Sequence, residues 1–280
     1  MHLYRTAEGL ARGEGDELLL LDLPHRDVAA LFADDVDLAR KASVKMRFPL
    51  DRAKLLSPVE HPRRIIIVGL NYRGHIAEAG LKAPEQPNFI AVDGASAIGP
   101  EIPIVIPRIA SDHVDYEGEV GVVIGKTCFE ASVEDAWSYV GGLTCVNDVS
   151  ARDLQREAMA QPGLGVGFSK VLDTFKPFGP AVVTAEAFKT PVDIALTTRV
   201  NGEVRQQART SDLIFDIPQL IVAISRLVTL HPGDLICSGT PGGVGWASGR
   251  FLKPGDIVEV EVEGVGVLRN PVIAQRNGAT

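Results

Sequence analysis

The sequence predicts an α+β fold in which strands predominate and a few helices are scattered among them. Short β-branched segments separated by Gly, Pro and Asn recur from Arg63 onward, and helical periodicity is confined to a few segments. Strands and helices do not alternate in the regular order of a parallel α/β fold. The 280 residues are 45% hydrophobic and 23% charged. This globular balance excludes a wholly disordered chain, a collagen and a coiled coil.

The first 60 residues differ in sequence pattern from the rest of the chain. Glu17–Leu23 is predicted as a strand and Asp27–Phe32 as a short helix. The proline-punctuated segment Arg47–Pro62 is interpreted as a connector. We therefore predict a small N-terminal α/β module over residues 1–62 and a larger domain over residues 63–280.

Within the larger domain, β-branched runs and alternating patterns predict strands at Ile65–Gly69, Glu119–Gly125, Leu143–Val146, Leu196–Val200, Val204–Gln207, Ile257–Val262 and around Val267. Asn201-Gly202 predicts a hairpin turn between two of these strands. A short helix is predicted from Ser132 through Trp137, where the spacing resembles a capping box. A longer helix is predicted from Asp216, and His231-Pro232-Gly233 is expected to end it.

Charge and composition argue against several partners and locations. The formal net charge is −8, and an acidic surface repels phosphate backbones, so a nucleic-acid partner is not expected. No apolar run approaches the ~20 residues that a membrane helix needs, and no secretory signal is recognised, so neither membrane association nor export is expected. The three scattered cysteines are interpreted as reduced thiols of a cytoplasmic protein.

Two acidic segments predict a divalent-metal site. Glu117 and Glu119 alternate at the start of a predicted strand, so their side chains point to one face, with Asp115 as a further acid nearby. Close carboxylates repel one another unless a cation neutralises them, and oxygen ligands favour Mg²⁺, Mn²⁺ or Ca²⁺. Asp148 ends an apolar strand and is the candidate third ligand. The alternative is a solvated strand end and a capped turn.

Candidate substrate-binding and acid–base residues lie in two further segments. Arg152 and Gln155 can grip an anionic substrate, or belong to a capped helix with surface charges. His75 and Glu78 are three residues apart on a predicted short helix, which suits a base and the carboxylate that orients it, but also an ordinary surface pair.

Two loop segments carry weaker signals. Thr240 lies in the Gly-rich segment Ser238–Gly245, whose backbone N–H groups can face an oxyanion or simply form a turn. Lys170, among apolar and glycine residues, can stabilise a developing negative charge, although most lysines are surface residues.

Five motifs in this order resemble the fumarylacetoacetate hydrolase family, from about Arg63 to Asn270. They are Gly-Leu-Asn-Tyr-x-x-His-x-x-Glu (Gly69 to Glu78), Asp-Tyr-Glu-x-Glu (Asp115 to Glu119), Asn-Asp-Val-Ser-Ala-Arg-Asp-x-Gln (Asn147 to Gln155), Lys-x-x-Asp-Thr-Phe (Lys170 to Phe175) and Gly-Thr-Pro-x-Gly-Val-Gly (Gly239 to Gly245). The resemblance implies a mixed β-sheet roll with the site at its open end, usually as a homodimer.

The resemblance also implies roles for individual residues. Mg²⁺ or Mn²⁺, with Ca²⁺ as an alternative, would bind Glu117, Glu119 and Asp148. His75 and Glu78 would form a dyad that activates water, and Lys170 matches the family's active-site lysine. Arg152, Gln155 and Thr240 match positions that contact substrate, and Tyr72 in the first motif is a further substrate-binding candidate. One departure is that Phe89-Ile90-Ala91 lacks a lysine that many members carry, so the substrate's charge or length is expected to differ.

The activity implied first is hydrolysis of a C–C bond in a β-diketo or 2-oxo acid, such as an acylpyruvate or fumaryl- or maleylpyruvate. His75 would take a proton from water, and the product enolate would be stabilised by the metal and Lys170. The same residues suit a decarboxylase or isomerase of 2-oxo or 2-hydroxydienoic acids. Two alternatives outside this chemistry are a non-catalytic oxo-acid-binding protein and a nucleotide-binding module built on the Gly239 loop.

Overall fold

The structure, a computed structural model, describes residues 1–110, 112–161 and 165–276. These residues form nineteen strands and six α-helices. The strands are β1 (His2–Thr6), β2 (Gly9–Glu14), β3 (Glu17–Leu21), β4 (Val44–Pro49), β5 (Leu55–Leu56), β6 (Ile65–Gly69), β7 (Asn88–Val92), β8 (Ala97–Ile98), β9 (Ile104–Ile106), β10 (Val114–Asp115), β11 (Gly118–Ile124), β12 (Val140–Asn147), β13 (Ser150–Ala151), β14 (Lys176–Thr184), β15 (Ala195–Val200), β16 (Glu203–Arg209), β17 (Leu235–Cys237), β18 (Ile257–Val262) and β19 (Gly266–Ala274). The helices are α1 (Val28–Asp34), α2 (Leu38–Lys41), α3 (Arg73–Ala79), α4 (Arg152–Ala160), α5 (Ile217–Ser225) and α6 (Gly245–Ser248).

Two large sheets carry the fold. The first has the strand order β4-β3-β2-β1-β14-β12-β11-β17-β6-β7, with β5 beside β1 and β8 beside β14. The second has the order β16-β15-β18-β19-β9, and β10 and β13 form a separate pair. Parallel pairs such as β17 with β6 occur among antiparallel ones such as β11 with β12. The predicted α+β class with mixed sheets is therefore confirmed.

The N-terminal strands continue the first sheet. β1 pairs with β14 through His2↔Val183 and Leu3↔Val182. Leu3 also shares a buried cluster with Ile65 of the larger unit. Helix α1 lies where the sequence predicts it, and the Asp27 carboxylate caps it by accepting from the backbone N–H of Ala30 at 2.8 Å. The division of the chain at residue 62 stays a prediction.

The predicted hairpin and the longer helix are both present. Asn201 and Gly202 have φ of 54° and 79°, which suits the tight turn between β15 and β16. Helix α5 begins with a capping box between Asp216 and Gln219. It ends at Ser225 rather than near His231, because Leu230 is drawn into an isolated antiparallel bridge with Cys128.

One other local prediction differs from the structure. The segment after Ser132 forms a 3₁₀ turn over Ala136–Tyr139 rather than a helix from Ser132. Ser132 Oγ accepts from the backbone N–H of Asp135 at 3.2 Å, a local bond that satisfies the turn without a longer helix.

No α-helix among the described residues is both long and apolar enough to cross a bilayer.

One edge of the first sheet collects the segments that carry the predicted site. The parallel strands β6 and β17 end there, and the antiparallel strand β11 begins there. Strand β12 ends beside the start of β11, because Asn147 is registered with Gly118. The connections that leave these strand ends therefore meet at a single place.

Candidate functional site

Three carboxylates meet at this sheet edge. Glu117, Glu119 and Asp148 are buried and offer carboxylate oxygens that all lie within 4.8 Å of one another. The pairing of β11 with β12 causes this proximity, and the backbone N–H of Asp148 donates to the carbonyl of Glu117 at 2.8 Å. The Asn147 side chain adds a second tie by accepting from the backbone N–H of Glu117 at 3.0 Å. The structure thus brings together the three residues that the sequence predicts as metal ligands.

Lys170 bridges two of these carboxylates. Its Nζ donates to Glu117 Oε2 at 2.7 Å, to Ser150 Oγ at 2.8 Å and to Asp148 Oδ2. Although burial by itself would lower the pKa of Lys170, the charges of Asp148 and Glu117 raise it above its ordinary value. The predicted active-site lysine is therefore a charged group held among the candidate metal ligands.

The guanidinium of Arg152 is hydrogen-bonded to other side chains of the protein in this structure. It donates from Nε to Asp115 Oδ2 at 2.8 Å, from Nη1 to Gln155 Oε1 at 2.8 Å, and from Nη2 to Glu117. Its guanidinium also lies 5.6 Å from the ring centre of Trp246, within cation–π range. Arg152 and Gln155 line the cavity, and Arg152 orders the acids around it. Their contact with a substrate stays a prediction.

The two glutamates of the cluster have opposite electrostatic surroundings. Against the effect of burial, Arg152 and Lys170 hold the pKa of Glu117 below its ordinary value. Burial, followed by the charges of Asp148 and Glu117, raises the pKa of Glu119 well above its ordinary value. Glu119 accepts the backbone N–H of Gly239 at 2.7 Å. Within the described part of the chain, no lysine, arginine or histidine forms a salt bridge with Glu119.

This donor set fits a divalent ion. Three close carboxylates, one of them without a salt bridge in the described residues, are the hard oxygen ligands that Mg²⁺, Mn²⁺ and Ca²⁺ prefer. A dication beside Glu119 would offset the repulsion from Asp148 and Glu117. Glu117, Glu119 and Asp148 would hold it.

His75 and Glu78 lie beside the cluster on helix α3. His75 Nδ1 is 3.6 Å from Glu78 Oε2, longer than a normal hydrogen bond, although such contacts often tighten when substrate binds. Both oxygens of Glu78 accept the backbone N–H of Gly243 at 3.0 Å. Gly80, at φ 64°, ends the helix. The predicted pair is therefore present, with Glu78 anchored to the Gly-rich loop.

The Gly-rich loop directs its backbone donors at protein carboxylates. Gly239 and Gly243 donate to Glu119 and Glu78 as described above, and Gly245 donates to Asp115 at 2.6 Å. Thr240 Oγ1 donates to the carbonyl of Gly118 at 3.0 Å and accepts from Gln206 Nε2 at 2.7 Å. The prediction that N–H groups of this loop face an oxyanion does not hold for these three groups, because each donates to a protein carboxylate. They fix the acids of the site instead.

A cavity of about 520 Å³ opens over these residues. The predicted site residues that line it are His75, Glu117, Glu119, Asp148, Arg152, Gln155, Lys170 and Thr240. Its other walls include the apolar side chains of Leu70, Leu81, Phe89, Ile90, Met159, Val166, Val244 and Trp246. The cavity thus has a charged floor and a largely apolar wall.

Two predicted site residues do not line this cavity. Glu78 contacts the Gly-rich loop near His75. Tyr72 is fully buried, and its hydroxyl has no hydrogen-bond partner among the described residues. Burial and the charge of Glu119 raise the pKa of Tyr72 above its ordinary value. Direct contact between Tyr72 and a substrate stays a prediction that this geometry does not support.

Sequence reasoning missed Lys176 and Gln206. Lys176 Nζ lies 2.9 Å from Asp148 Oδ1, and Gln206 Oε1 accepts from the backbone N–H of Gly118 at 2.9 Å. A lysine at the head of an otherwise apolar segment, Lys176 to Val183, is a signal that could have drawn attention to the first. Gln206 lies on a distant strand, and its hairpin carries no comparable signal.

The chain is similar to known proteins in sequence and in fold. The family model described as fumarylacetoacetate (FAA) hydrolase C-terminal matches residues 64–273. A mitochondrial oxaloacetate tautomerase of Rattus norvegicus is 40% identical over 283 residues, covering 97% of this chain and 89% of that protein.

Two solved structures share the fold over nearly the whole chain. A 5-carboxymethyl-2-hydroxymuconate delta-isomerase from Mycobacterium smegmatis is 34% identical, with a TM-score of 0.79, covering 98% of this chain and all of that one. A maleylpyruvate hydrolase from Sphingobium sp. SYK-6, in complex with manganese (II) ion and pyruvate, is 30% identical, with a TM-score of 0.80, covering 99% and 100%. These similar proteins thus include a tautomerase, an isomerase and a hydrolase.

Proposed function

The chain belongs to the fumarylacetoacetate hydrolase family, and on that premise we propose that it is a divalent-metal-dependent tautomerase of oxaloacetate or a similar 2-oxo acid. The observation that carries the proposal is a histidine and three buried carboxylates lining one cavity. This arrangement combines a proton acceptor with a site for an electrophile. The predicted homodimer and cytoplasmic location stay predictions, and the rat relative is named as mitochondrial.

The cofactor we propose is Mg²⁺ or Mn²⁺. Held by Glu117, Glu119 and Asp148, it would polarise the oxygens of a bound 2-oxo acid and so acidify the adjacent C–H bond. Lys170 adds positive charge on the same side of the cavity, because its ammonium lies between Glu117 and Asp148.

The chain's own residues then have to move one proton. His75 is the base we propose, because Lys170 and Arg152 are held protonated by carboxylates in the same cavity. In the enol-forming direction His75 takes the proton from C3, the C–H electron pair forms the C2–C3 double bond, and the C2–O π pair moves onto oxygen. That oxygen then takes the proton from the imidazolium of His75, which returns the base to its neutral form. Glu78 would orient the imidazole. No water is consumed, and the reverse steps return the keto acid.

The higher sequence identity to a tautomerase favours this reaction over C–C hydrolysis. The rat oxaloacetate tautomerase is 40% identical, whereas the Sphingobium maleylpyruvate hydrolase is 30% identical. Hydrolysis is the second candidate, because a His–Glu pair suits activation of water and the Sphingobium structure holds manganese and pyruvate in a similar fold. In that reaction His75 would take a proton from water instead of from C3.

The test follows the ultraviolet absorbance of enol-oxaloacetate as it converts to the keto form, with metal-free protein and with Mg²⁺ or Mn²⁺ restored. We expect metal-dependent loss of the enol signal above the spontaneous rate, with no pyruvate formed. Pyruvate formation would indicate decarboxylation instead. A parallel panel of acylpyruvates and maleyl- and fumarylpyruvate, with products separated by chromatography, tests hydrolysis. Cleavage there, with no effect on enol-oxaloacetate, would replace the tautomerase by the hydrolase.

A further inference from the structure

Lys176 is a buried lysine that reaches the acidic cluster from behind the cavity. It is the first residue of β14, a strand whose residues are all buried, and its own side chain is fully buried. It does not belong to the cavity wall. Its ammonium has four oxygen neighbours: Asp148 Oδ1 at 2.9 Å and the carbonyls of Lys170 at 2.5 Å, Phe175 at 3.0 Å and Val149 at 3.3 Å.

The position of Lys176 calls for an explanation beyond folding. A buried ammonium has a large desolvation cost, and an apolar side chain is often at least as stabilising in such a place. Here the ammonium is surrounded by oxygens rather than by apolar atoms. Two of its contacts connect it to the site, namely those with the Asp148 carboxylate and with the backbone carbonyl of Lys170. Lys176 therefore contacts both a candidate metal ligand and the backbone of the cavity's lysine.

The contacts divide the oxygens of Asp148 between two lysines. Oδ1 faces Lys176, whereas Oδ2 accepts from Lys170. Oδ1 makes no hydrogen bond within the described residues, so its ion pair with the Lys176 ammonium at 2.9 Å is the contact that restrains rotation of the carboxylate and keeps Oδ2 on the side of Lys170. The bond from Lys176 Nζ to the Lys170 carbonyl restrains the backbone that carries that second ammonium.

We propose that Lys176 is a positioning residue, which fixes the Asp148 carboxylate and the backbone of Lys170 so that the cluster binds a divalent ion. This inference rests on the proposed function, because it takes Asp148 to be a ligand of that ion. Lys176 does not contact the substrate cavity, so its effect is exerted through Asp148 and Lys170. Outer partners that orient metal ligands typically change metal affinity by about 10–100-fold.

Electrostatics and positioning predict opposite effects when Lys176 is removed. A positive charge near the cluster repels a dication, so charge alone predicts tighter metal binding without Lys176. Positioning predicts weaker binding, because Asp148 loses the partner of Oδ1. The direction of the change in Kd therefore separates the two roles.

The experiment compares wild-type protein, Lys176→Met and Lys189→Met, each stripped of metal with EDTA and dialysed. Lys189 is exposed and serves as the matched control for loss of a lysine charge. Titration with MnCl₂ is followed by calorimetry and by the electron paramagnetic resonance of free Mn²⁺. We expect the Kd of Lys176→Met to rise by about 10-fold or more, and that of Lys189→Met to stay at the wild-type value.

Each other outcome overturns the proposal in a distinguishable way. An unchanged or lower Kd for Lys176→Met, with wild-type protein binding Mn²⁺, overturns the role of Lys176 and leaves the proposed function intact. Wild-type protein that binds neither Mn²⁺ nor Mg²⁺ overturns both. If Lys176→Met does not fold, Lys176→Gln, which removes the charge that pairs with Asp148 Oδ1, takes its place with the same expected rise in Kd. Failure of both to fold would make Lys176 a residue of the fold alone and end the proposal.

Discussion

Glu119 is a buried carboxylate flanked by two others, and it accepts one backbone N–H. Arg152, Lys170 and Lys176 form ion pairs with Asp115, Glu117 and Asp148. Burial and the neighbouring acids raise the pKa of Glu119, so its ionised form lowers the stability of the metal-free fold. That contribution is absent at pH values below both its unfolded and folded pKa, and it grows as pH rises between them. Glu119 is thus the residue at which metal binding and stability are most directly coupled.

Glu119→Gln should separate these two effects. Without metal we expect its melting temperature at neutral pH to equal or exceed that of the wild type, because a neutral amide removes the repulsion from Asp148 and Glu117. With saturating Mg²⁺ we expect the wild type to gain stability by mass action and the variant to gain little. Differential scanning fluorimetry in EDTA and in MgCl₂ measures both. Glu134→Gln, at an exposed glutamate, is the control, and an undiminished Mg²⁺ shift in Glu119→Gln would rule out Glu119 as a ligand.

His75→Ala should reduce kcat by about 10²–10⁴-fold, the usual contribution of a general base. His75 lines the cavity but is not one of the three clustered carboxylates, so Mn²⁺ affinity should stay within about twofold of the wild-type value. Steady-state kinetics on the active substrate and calorimetry with MnCl₂ give the two numbers. His61→Ala, at an exposed histidine, is the control. Loss of Mn²⁺ binding in His75→Ala would make His75 a ligand or a structural residue rather than the base.

Individual residues of the site could be predicted from sequence where their chemistry is unusual for their position. Glu117 and Glu119 stand out because alternating acids begin a buried strand. Lys176 carries only the weaker signal of a lysine at the head of an apolar segment, because a single lysine is ordinarily a surface residue, and only the tertiary structure places its ammonium against Asp148. The ion pairs of Arg152 with Asp115 and Glu117 likewise depend on contacts between segments that are 35 or more residues apart.

At the scale of elements, the loop between β17 and α6 connects the acid cluster to helix α3. Gly243 has φ +99°, a conformation that L side chains rarely adopt, and its N–H donates to both oxygens of Glu78. A Cβ at this position would lie 2.0 Å from the carbonyl oxygen of Arg205. Backbone geometry in this loop therefore controls the carboxylate that stands next to His75.

Gly243→Ala should lower both stability and activity. We expect a loss of at least about 2 kcal/mol in the free energy of unfolding, from the strained φ and the contact with Arg205. We also expect a lower kcat, because Glu78 loses its anchor. Gly249→Ala is the matched control, since Gly249 has φ +70° with no atom within 4 Å of the added Cβ, and it should cost only about 1 kcal/mol. Equal losses in the two variants, measured by urea denaturation, would contradict the role given to the loop.

Elements were predictable where local chemistry determines them. The Asn201-Gly202 hairpin and the Asp216 capping box depend on neighbouring residues, so the sequence carries the signal. The end of α5 depends instead on the bridge from Leu230 to Cys128, about a hundred residues away in the chain. The hydrogen bonds from loop N–H groups to Asp115, Glu119 and Glu78 likewise depend on the tertiary structure.

At the scale of the whole molecule, the first sheet contains strands from the N-terminal 62 residues, such as β1, beside strands from the C-terminal half of the chain, such as β14. Strand order was not predictable, because the partner of a strand depends on which apolar faces meet and not on its own pattern. The pairing of β1 with β14 illustrates this, since it connects Leu3 with Val182. The same pairing bears on whether residues 1–62 are an independent module, because the buried cluster around Leu3 also contains Leu31, Ile65 and Val182.

Removal of residues 1–62 should therefore prevent cooperative folding of residues 63–280. The truncation would uncover Ile65, Val182 and their buried neighbours and leave β14 with an unpaired edge, which favours aggregation. We expect the fragment to be insoluble, or to unfold without a sharp transition in urea, and to be rescued by coexpression with residues 1–62. The intact chain purified in parallel is the control. A fragment that melts cooperatively near the intact protein's temperature would instead establish residues 63–280 as a domain that folds alone.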